Sequence, residues 1–213
     1  MTGNSSETNR VLEQAAQGDA QVFGALLSRH QPRLRRMIAL RLDRRLQGRI
    51  DPSDVIQEAY LEASARLAEY LRNPSMPFFL WLRFLTGQKL VTLHRHHMGV
   101  KMRDANQQVA LDHGSLPEAS SVVLAAQLVD NDTRPSEAAI RAEMKIRVQE
   151  ALDGMDPLDR EVLALRHFEQ LSRAEIAQVL EVSEAAAGKR YLRALERLKQ
   201  VLTRSQGSEG LRP

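Results

Sequence analysis

The chain has 213 residues, of which 43% are apolar, 27% charged and only 4% aromatic; this is the balance of a folded all-α protein long enough for two small domains, and it argues against sheets. It contains no cysteine, which excludes disulfides, thiolate metal sites and thiol redox chemistry. The formal net charge is only +3, but the signs are sorted into alternating blocks, and a merely solvated surface usually mixes its signs, so several distinct charged partner surfaces are expected.

The N-terminus, MTGNSSETNRVLEQ, is polar and lacks the apolar core of a secretory signal. No stretch reaches the roughly 18 apolar residues of a membrane span, so a cytoplasmic protein without a membrane span is expected. Residues 10–103 read as a first helical domain, with helix-period apolar positions at Val22, Leu26, Leu27, Leu34, Ile38 and Leu42. Its first charge block, residues 33–49, holds seven arginines against Asp43 alone.

DPSDVIQEAYLEASARLAEYL opens on Asp51 as a helix cap, Pro52 at the first helical position and Asp54 closing the first turn. On a helical wheel Ile56, Ala59, Tyr60, Ala63, Leu67 and Tyr70 share one side, while Asp54, Glu58, Glu62 and Glu69 share the other within about 80°. Acids at i, i+4 and i+8 repel, so this arc suits a basic partner better than it suits the helix; the competing reading is a solvated face balanced by the arginines of residues 33–49.

FFLWLRFLTGQKLVTLHRHHMGVKMRD is apolar at Phe79, Leu82, Leu85, Val91 and Leu93, then strongly basic, with five Lys/Arg and three histidines but no acid between Arg83 and Arg103. Aromatic rings beside cations suit single-stranded nucleic acid, because bases stack on rings while Lys and Arg follow phosphates. Against that, Phe78, Phe79, Trp81 and Phe84 read mostly as hydrophobic core, Trp81 in particular. The HRHH run lacks the cysteine or acid that would complete a structural zinc set, so no metal is expected.

Residues 104–138 hold six acids against Arg134, with Gly, Pro, Ser and Asn throughout; they read as an acidic flexible linker with one short helix near Val122–Leu128. Thirty-five such residues span about 35 Å on average.

Residues 139–205 form the second domain. Asp156, Pro157 and Asp159 supply a cap, a first-position proline and a first-turn acid for a helix over about 158–168. Ser172 and Glu175 have the capping-box spacing, with Ile176, Val179 and Leu180 as the buried side of a short second helix. Glu181, Val182 and Ser183 make a tight turn, and Ser183 caps a third helix. Two helices joined by so short a turn form a helix-turn-helix, whose second helix enters the DNA major groove. On that helix Ala187, Tyr191, Ala194, Leu195, Leu198, Val201 and Leu202 form a stripe of about 120° toward the core, while Ala186, Lys189, Arg190, Arg193, Arg197 and Arg204 share an outward arc of about 100°. The short side chains of Ala185 and Ala186 give bases and backbone clearance, and the cations beyond them reach phosphates and base edges. Gly188 fits neither face and costs about 1 kcal/mol against Ala inside a helix.

LDREVLALRHFEQLSRAEIAQVLEVSEAAAGKRYLRALERLKQVL resembles the promoter-binding C-terminal domain of bacterial RNA polymerase sigma factors of the extracytoplasmic-function group, departing from the usual pattern at Ala187 and Gly188. DPSDVIQEAYL resembles the helix by which sigma factors grip core RNA polymerase. The resemblance implies that Asp54, Gln57 and Glu58 contact core polymerase. It implies that Ser172, Arg173, Ala185, Ala186, Lys189, Arg190, Arg193 and Arg197 meet the minus-35 element of promoter DNA. The segment after Phe79 resembles the part that opens the minus-10 element, with Gln88 and Thr92 where Asn and Asp are frequent; Arg95, His96, His97, Lys101 and Arg103 are the backbone contacts it implies. The linker resembles an RNA mimic, a role that Asp112, Glu118, Asp130 and Asp132 suit, and the family leaves room for an anti-sigma factor.

The function expected is that of a transcription initiation factor, not an enzyme: nothing assembles a nucleophile with its base, a phosphate-cradling glycine loop or a metal cage, and no cofactor is called for. The alternatives are a dimeric helix-turn-helix regulator that needs no polymerase, and an RNA-binding or scaffolding helical protein. A dimer would require a self-complementary apolar face in place of the acidic helix.

Overall fold

The computed structural model describes residues 3–16, 19–43, 45–97, 116–130 and 138–207, and among them the chain is all-α with no strand. It divides into two compact units, Met1–Pro117 and Glu118–Pro213.

The first unit is built from α1 (Gly3–Ala16), α2 (Ala20–Arg41), α3 (Pro52–Arg72) and α4 (Phe78–His97). Local chemistry sets the helix starts. The Asp19 carboxylate accepts the Gln21 and Val22 N–H groups at 3.1 Å to cap α2. Asp51 does the same for α3, accepting from Ser53 at 2.8 Å with Pro52 following. Between α2 and α3, Asp43 accepts the Arg45 backbone N–H at 2.8 Å, and Gly48 takes the left-handed conformation (φ 87°) that its missing Cβ permits. Leu12, Leu26, Leu34, Met37, Ile38, Ile56, Ala59, Ala63, Leu82, Leu85 and Leu90 are buried together. Gly87 of α4 is where Leu116 seats, since a Cβ there would lie 2.5 Å from the leucine side chain.

The aromatic residues of α4 are spent on this core. Trp81 is 7% exposed and stacks on Tyr70 at a centroid distance of 4.5 Å, while Phe78 meets Phe23, Tyr70 and Trp81. Arg33 lies over the Phe79 ring at 3.5 Å. Phe78, Phe79 and Trp81 are thus core residues, as their sequence context suggested, because an enclosed ring has no free face for a base.

The second unit comprises α5 (Ser121–Asp130), α6 (Ala138–Asp153), α7 (Pro157–Leu163), α8 (Arg173–Val179) and α9 (Glu184–Gly207). Part of the expected linker belongs to it: residues 121–130 form α5, which packs on α6 and buries Leu124 and Ala125. Residues 104–115 and 131–137, with Asp112 and Asp132, lie outside the described residues. Glu118, expected as a tether acid, instead pairs with the Arg160 guanidinium. The unit's core gathers Val148, Leu152, Val162, Leu163, Leu165, Phe168, Leu171, Ile176, Ala187 and Ala194.

Candidate functional site

The residues expected to make contacts lie on three surfaces, two on the first unit and one on the second. On the second unit, Asp156 caps α7 by accepting the Leu158 N–H at 2.9 Å, with Pro157 at the first helical position. The helix runs on through a π-helical turn, Ala164–Phe168, so its overall extent matches the expected 158–168 with a looser final turn. Ser172 and Glu175 close a reciprocal capping box at 2.7 and 3.2 Å. Glu181 adopts a left-handed backbone (φ 53°) in the turn between α8 and α9. The Ser183 hydroxyl then accepts the Ala186 N–H at 3.1 Å to cap α9.

The three consecutive alanines at the start of α9 do different work. Ala185 is exposed and Ala186 partly so, leaving an open surface at the helix N-terminus. Ala187 is 2% exposed and sits in the packed side of α9, which lies against α8. Gly188 has a neighbour after all: the Arg173 side chain passes 3.7–3.8 Å from where its Cβ would stand. Lys189 is exposed beside this opening. Tyr191 leaves the expected core stripe half-way, its hydroxyl 3.2 Å from His167 Nε2. The side chains of Val201, Leu202 and Arg204 lie outside the described residues.

The outward arc is not uniform, because some of its cations have partners within the unit. Arg190 Nη1 donates to Asp159 Oδ1 at 2.8 Å and to Asp156 Oδ1 at 3.0 Å; the nearby carboxylates raise its pKa further, Asp159 contributing most. Arg193 Nε lies 3.5 Å from Asp159 Oδ2. Two cations expected to face DNA thus meet an acid of α7, Arg190 closely and Arg193 with its side chain still 64% exposed. Arg197, also expected there, lies farther along α9, its guanidinium close to Gly154 at the end of α6.

On the first unit, the four acids of α3 also separate into two sets. Glu62 meets Lys89 of α4 at 2.6 Å and Arg66 at 3.2 Å, and these partners hold its pKa below the usual carboxylate value, the Lys89 contact most of all. Glu69 pairs with the same Arg66 at 3.5 Å. Asp54 and Glu58 are exposed and make no ion pair among the described residues, and Gln57 is exposed between them. Among the described residues no arginine of 33–49 forms an ion pair with Asp54 or Glu58; Arg35, for instance, donates to Ser53 Oγ at 3.1 Å. One residue was missed: Leu61, 73% exposed, lies on the same arc as Asp54, Gln57 and Glu58. The helical wheel that sorted the acids also contained that signal.

At the end of α4, Arg95, His96 and His97 are exposed, while His94 is partly buried with its pKa lowered, chiefly by desolvation. Lys101 and Arg103 lie outside the described residues. No helix among the described residues is long and apolar enough to cross a membrane.

Comparison with known proteins was consistent along the chain. A family model described as sigma-70, region 4 matches residues 145–198. The RNA polymerase sigma factor CnrH of Cupriavidus metallidurans is 30% identical over 205 residues, covering 93% of this chain and 96% of that protein. The ECF RNA polymerase sigma factor SigD of Mycobacterium tuberculosis is 27% identical over 199 residues, covering 93% of this chain and 85% of that one. The structure of CnrH in complex with the cytosolic domain of CnrY matches 92% of this chain and 96% of that chain, at 24% identity and a TM-score of 0.52, a likeness of fold.

Proposed function

That the chain belongs to the extracytoplasmic-function group of the sigma-70 family of bacterial RNA polymerase sigma factors is the premise from which we propose how it works. It is a transcription initiation factor that binds core RNA polymerase, directs it to specific promoters and helps open the minus-10 region. It acts in the cytoplasm as a binding protein and catalyses no reaction itself. Residues 10–103 bind core polymerase and the minus-10 element, the chain from residue 104 tethers only as far as the second unit, which starts at Glu118, and residues 139–205 of that unit bind the minus-35 element.

Asp54, Gln57 and Glu58 are the contacts to core polymerase, with Leu61 as the apolar centre of the same patch. A charged rim around an exposed apolar side chain is the usual arrangement of a protein–protein contact. The minus-35 element meets the N-terminal end of α9: Ala185 and Ala186 allow close approach, Lys189 and Arg173 reach phosphates or base edges, and Ser172 and Arg197 lie on the flanks. Arg95, His96 and His97, continued by Lys101 and Arg103, follow the strand at the minus-10 element. A regulatory anti-sigma protein is expected as a further partner, by analogy with CnrH, whose solved complex contains the cytosolic domain of CnrY.

The observation that carries this reading is the separation of acids on α3. Glu62 and Glu69 are answered within the unit, while Asp54 and Glu58 are left to solvent beside an exposed leucine. A regulator acting without polymerase has no use for that patch. The test is promoter transcription with purified core polymerase, comparing wild type with Asp54→Ala/Glu58→Ala. A large loss of output with unchanged folding is expected, and undiminished output would reject the assignment.

A further inference from the structure

Of the cations on the outer arc of α9, two are already engaged. Asp159 is 3% exposed, yet it is a carboxylate, and it presents one oxygen to Arg190 at 2.8 Å and the other to Arg193 at 3.5 Å. Asp156 adds a second hold on Arg190 at 3.0 Å while it caps α7. Asp156 caps α7 and Asp159 sits in its first turn, the end where the helix dipole favours negative charge, so both are fixed in place. Two carboxylates face two guanidinium groups, and that part of the arc has no net charge to offer. Asp159 is the buried member of this set, so Arg190 is the partner that answers its charge in a desolvated position, while Arg193 is held more loosely with its side chain 64% exposed.

Nonspecific attraction to DNA comes from cations that neutralise phosphates and release counterions, and a guanidinium already matched by a carboxylate contributes little to that term. Resting on the reading of α9 as the minus-35 helix, we propose that Asp159 is a positioning residue that withholds Arg190 and Arg193 from indiscriminate phosphate binding. The open end of α9, at Ala185, Ala186 and Lys189, then makes the discriminating contact. Promoter selectivity is thereby improved by suppressing attraction to the wrong sequences, and the suppressing group lies on a different helix from the one that reads DNA.

The test measures binding of the full chain to a 20-base-pair duplex of mixed sequence over a range of salt, beside a duplex selected by the full chain from a randomised pool. Asp159→Asn keeps the shape and removes the charge. It should steepen the salt dependence on mixed-sequence DNA by about 0.9 per arginine released, which is about eightfold tighter binding at 0.1 M salt, and lower the ratio of selected to mixed-sequence affinity by a similar factor. Asp159→Glu, which retains the charge, should restore the wild-type slope. A merely structural acid would change the melting temperature in both variants and leave the slope alone.

Arg190→Gln provides a readout that does not depend on the folding of Asp159→Asn. It should leave the mixed-sequence slope where it is, whereas a fall of about 0.9 would mean that Arg190 already sits on phosphate and would overturn the proposal. An unchanged slope for a folded Asp159→Asn overturns it too. Lys189→Ala separates this from the underlying reading: if it fails to lower the slope while Asp159→Asn raises it, the role given to Lys189 falls and the restraint stands. If Lys189→Ala lowers the slope and Asp159→Asn does nothing, the reverse holds.

Discussion

Lys89 on α4 reaches Glu62 on α3 at 2.6 Å, joining two helices whose contact forms much of the first unit. The pair is partly exposed, so its worth is that of a surface ion pair, about 0.5–1 kcal/mol. Glu62 has its pKa lowered in the folded state, so this contribution is present above the ordinary carboxylate value and fades as pH falls through the folded one. Glu62→Gln should therefore lower the melting temperature slightly at pH 7 and leave capture of core polymerase intact. Asp54→Ala and Glu58→Ala should do the opposite. Thermal melts paired with co-purification of polymerase distinguish the two sets, and loss of polymerase by Glu62→Gln would show that the division of acids on α3 has been misjudged.

His30 provides a pH prediction. Its ring packs beside Phe78 and Phe79 at 5.8 and 5.3 Å, and burial first, then Arg33 and Arg29, bring its pKa down to about 4. The fold thus prefers the neutral ring, whereas the unfolded chain titrates near 6.5. The contribution of His30 is complete above pH 6.5 and is lost as pH falls toward 4, costing about 1–2 kcal/mol once the water still reaching the ring is allowed for. His30→Phe should flatten the fall in melting temperature between pH 7 and pH 5. An imidazole resonance that titrates near 6.5 in the folded protein would contradict this.

At Gly188 of α9 a better helix former should help. A Cβ there would meet Arg173 at 3.7–3.8 Å, an ordinary contact with no clash. Gly188→Ala should stabilise the second unit by about 0.5–1 kcal/mol through helix propensity, read as a higher melting temperature. A fall instead would mean that Arg173 needs the space in a conformation other than the one seen.

The caps were legible in the sequence because they are local. Asp51–Pro52, Asp156–Pro157, Ser172 with Glu175, and Ser183 each act within three residues, and each starts its helix where the letters say. The wheel also gave the buried face of α3, and on α9 the placement of Ala187 and Ala194. What it could not give was the neighbour on each face: Asp159 is 31 residues from Arg190, and Lys89 is far along the chain from Glu62. Charge blocks therefore overstated how much of each arc is free for partners. The helix at residues 121–130 was foreseen, but its place against α6 was not, because the Pro, Ser and Asp around it look like linker while only burial of Leu124 and Ala125 ties it down.

Trp81 separates packing from nucleic-acid contact at the other end of the first unit. It is the chain's single tryptophan, 7% exposed and stacked on Tyr70, so its fluorescence reports this site alone. Emission should be that of a buried indole and should not change when a single-stranded oligonucleotide is added to the isolated chain. Trp81→Ala should cost about 3–5 kcal/mol, a large share of a small domain's stability, through the cavity it leaves against Tyr70 and Phe78. Arg95→Ala with His96→Ala and His97→Ala changes only exposed side chains, so it should leave the melting temperature alone and reduce the yield of open promoter complexes formed with core polymerase. Quenching of Trp81 by the oligonucleotide, with little loss of stability in Trp81→Ala, would move this residue from the core to the strand-binding surface.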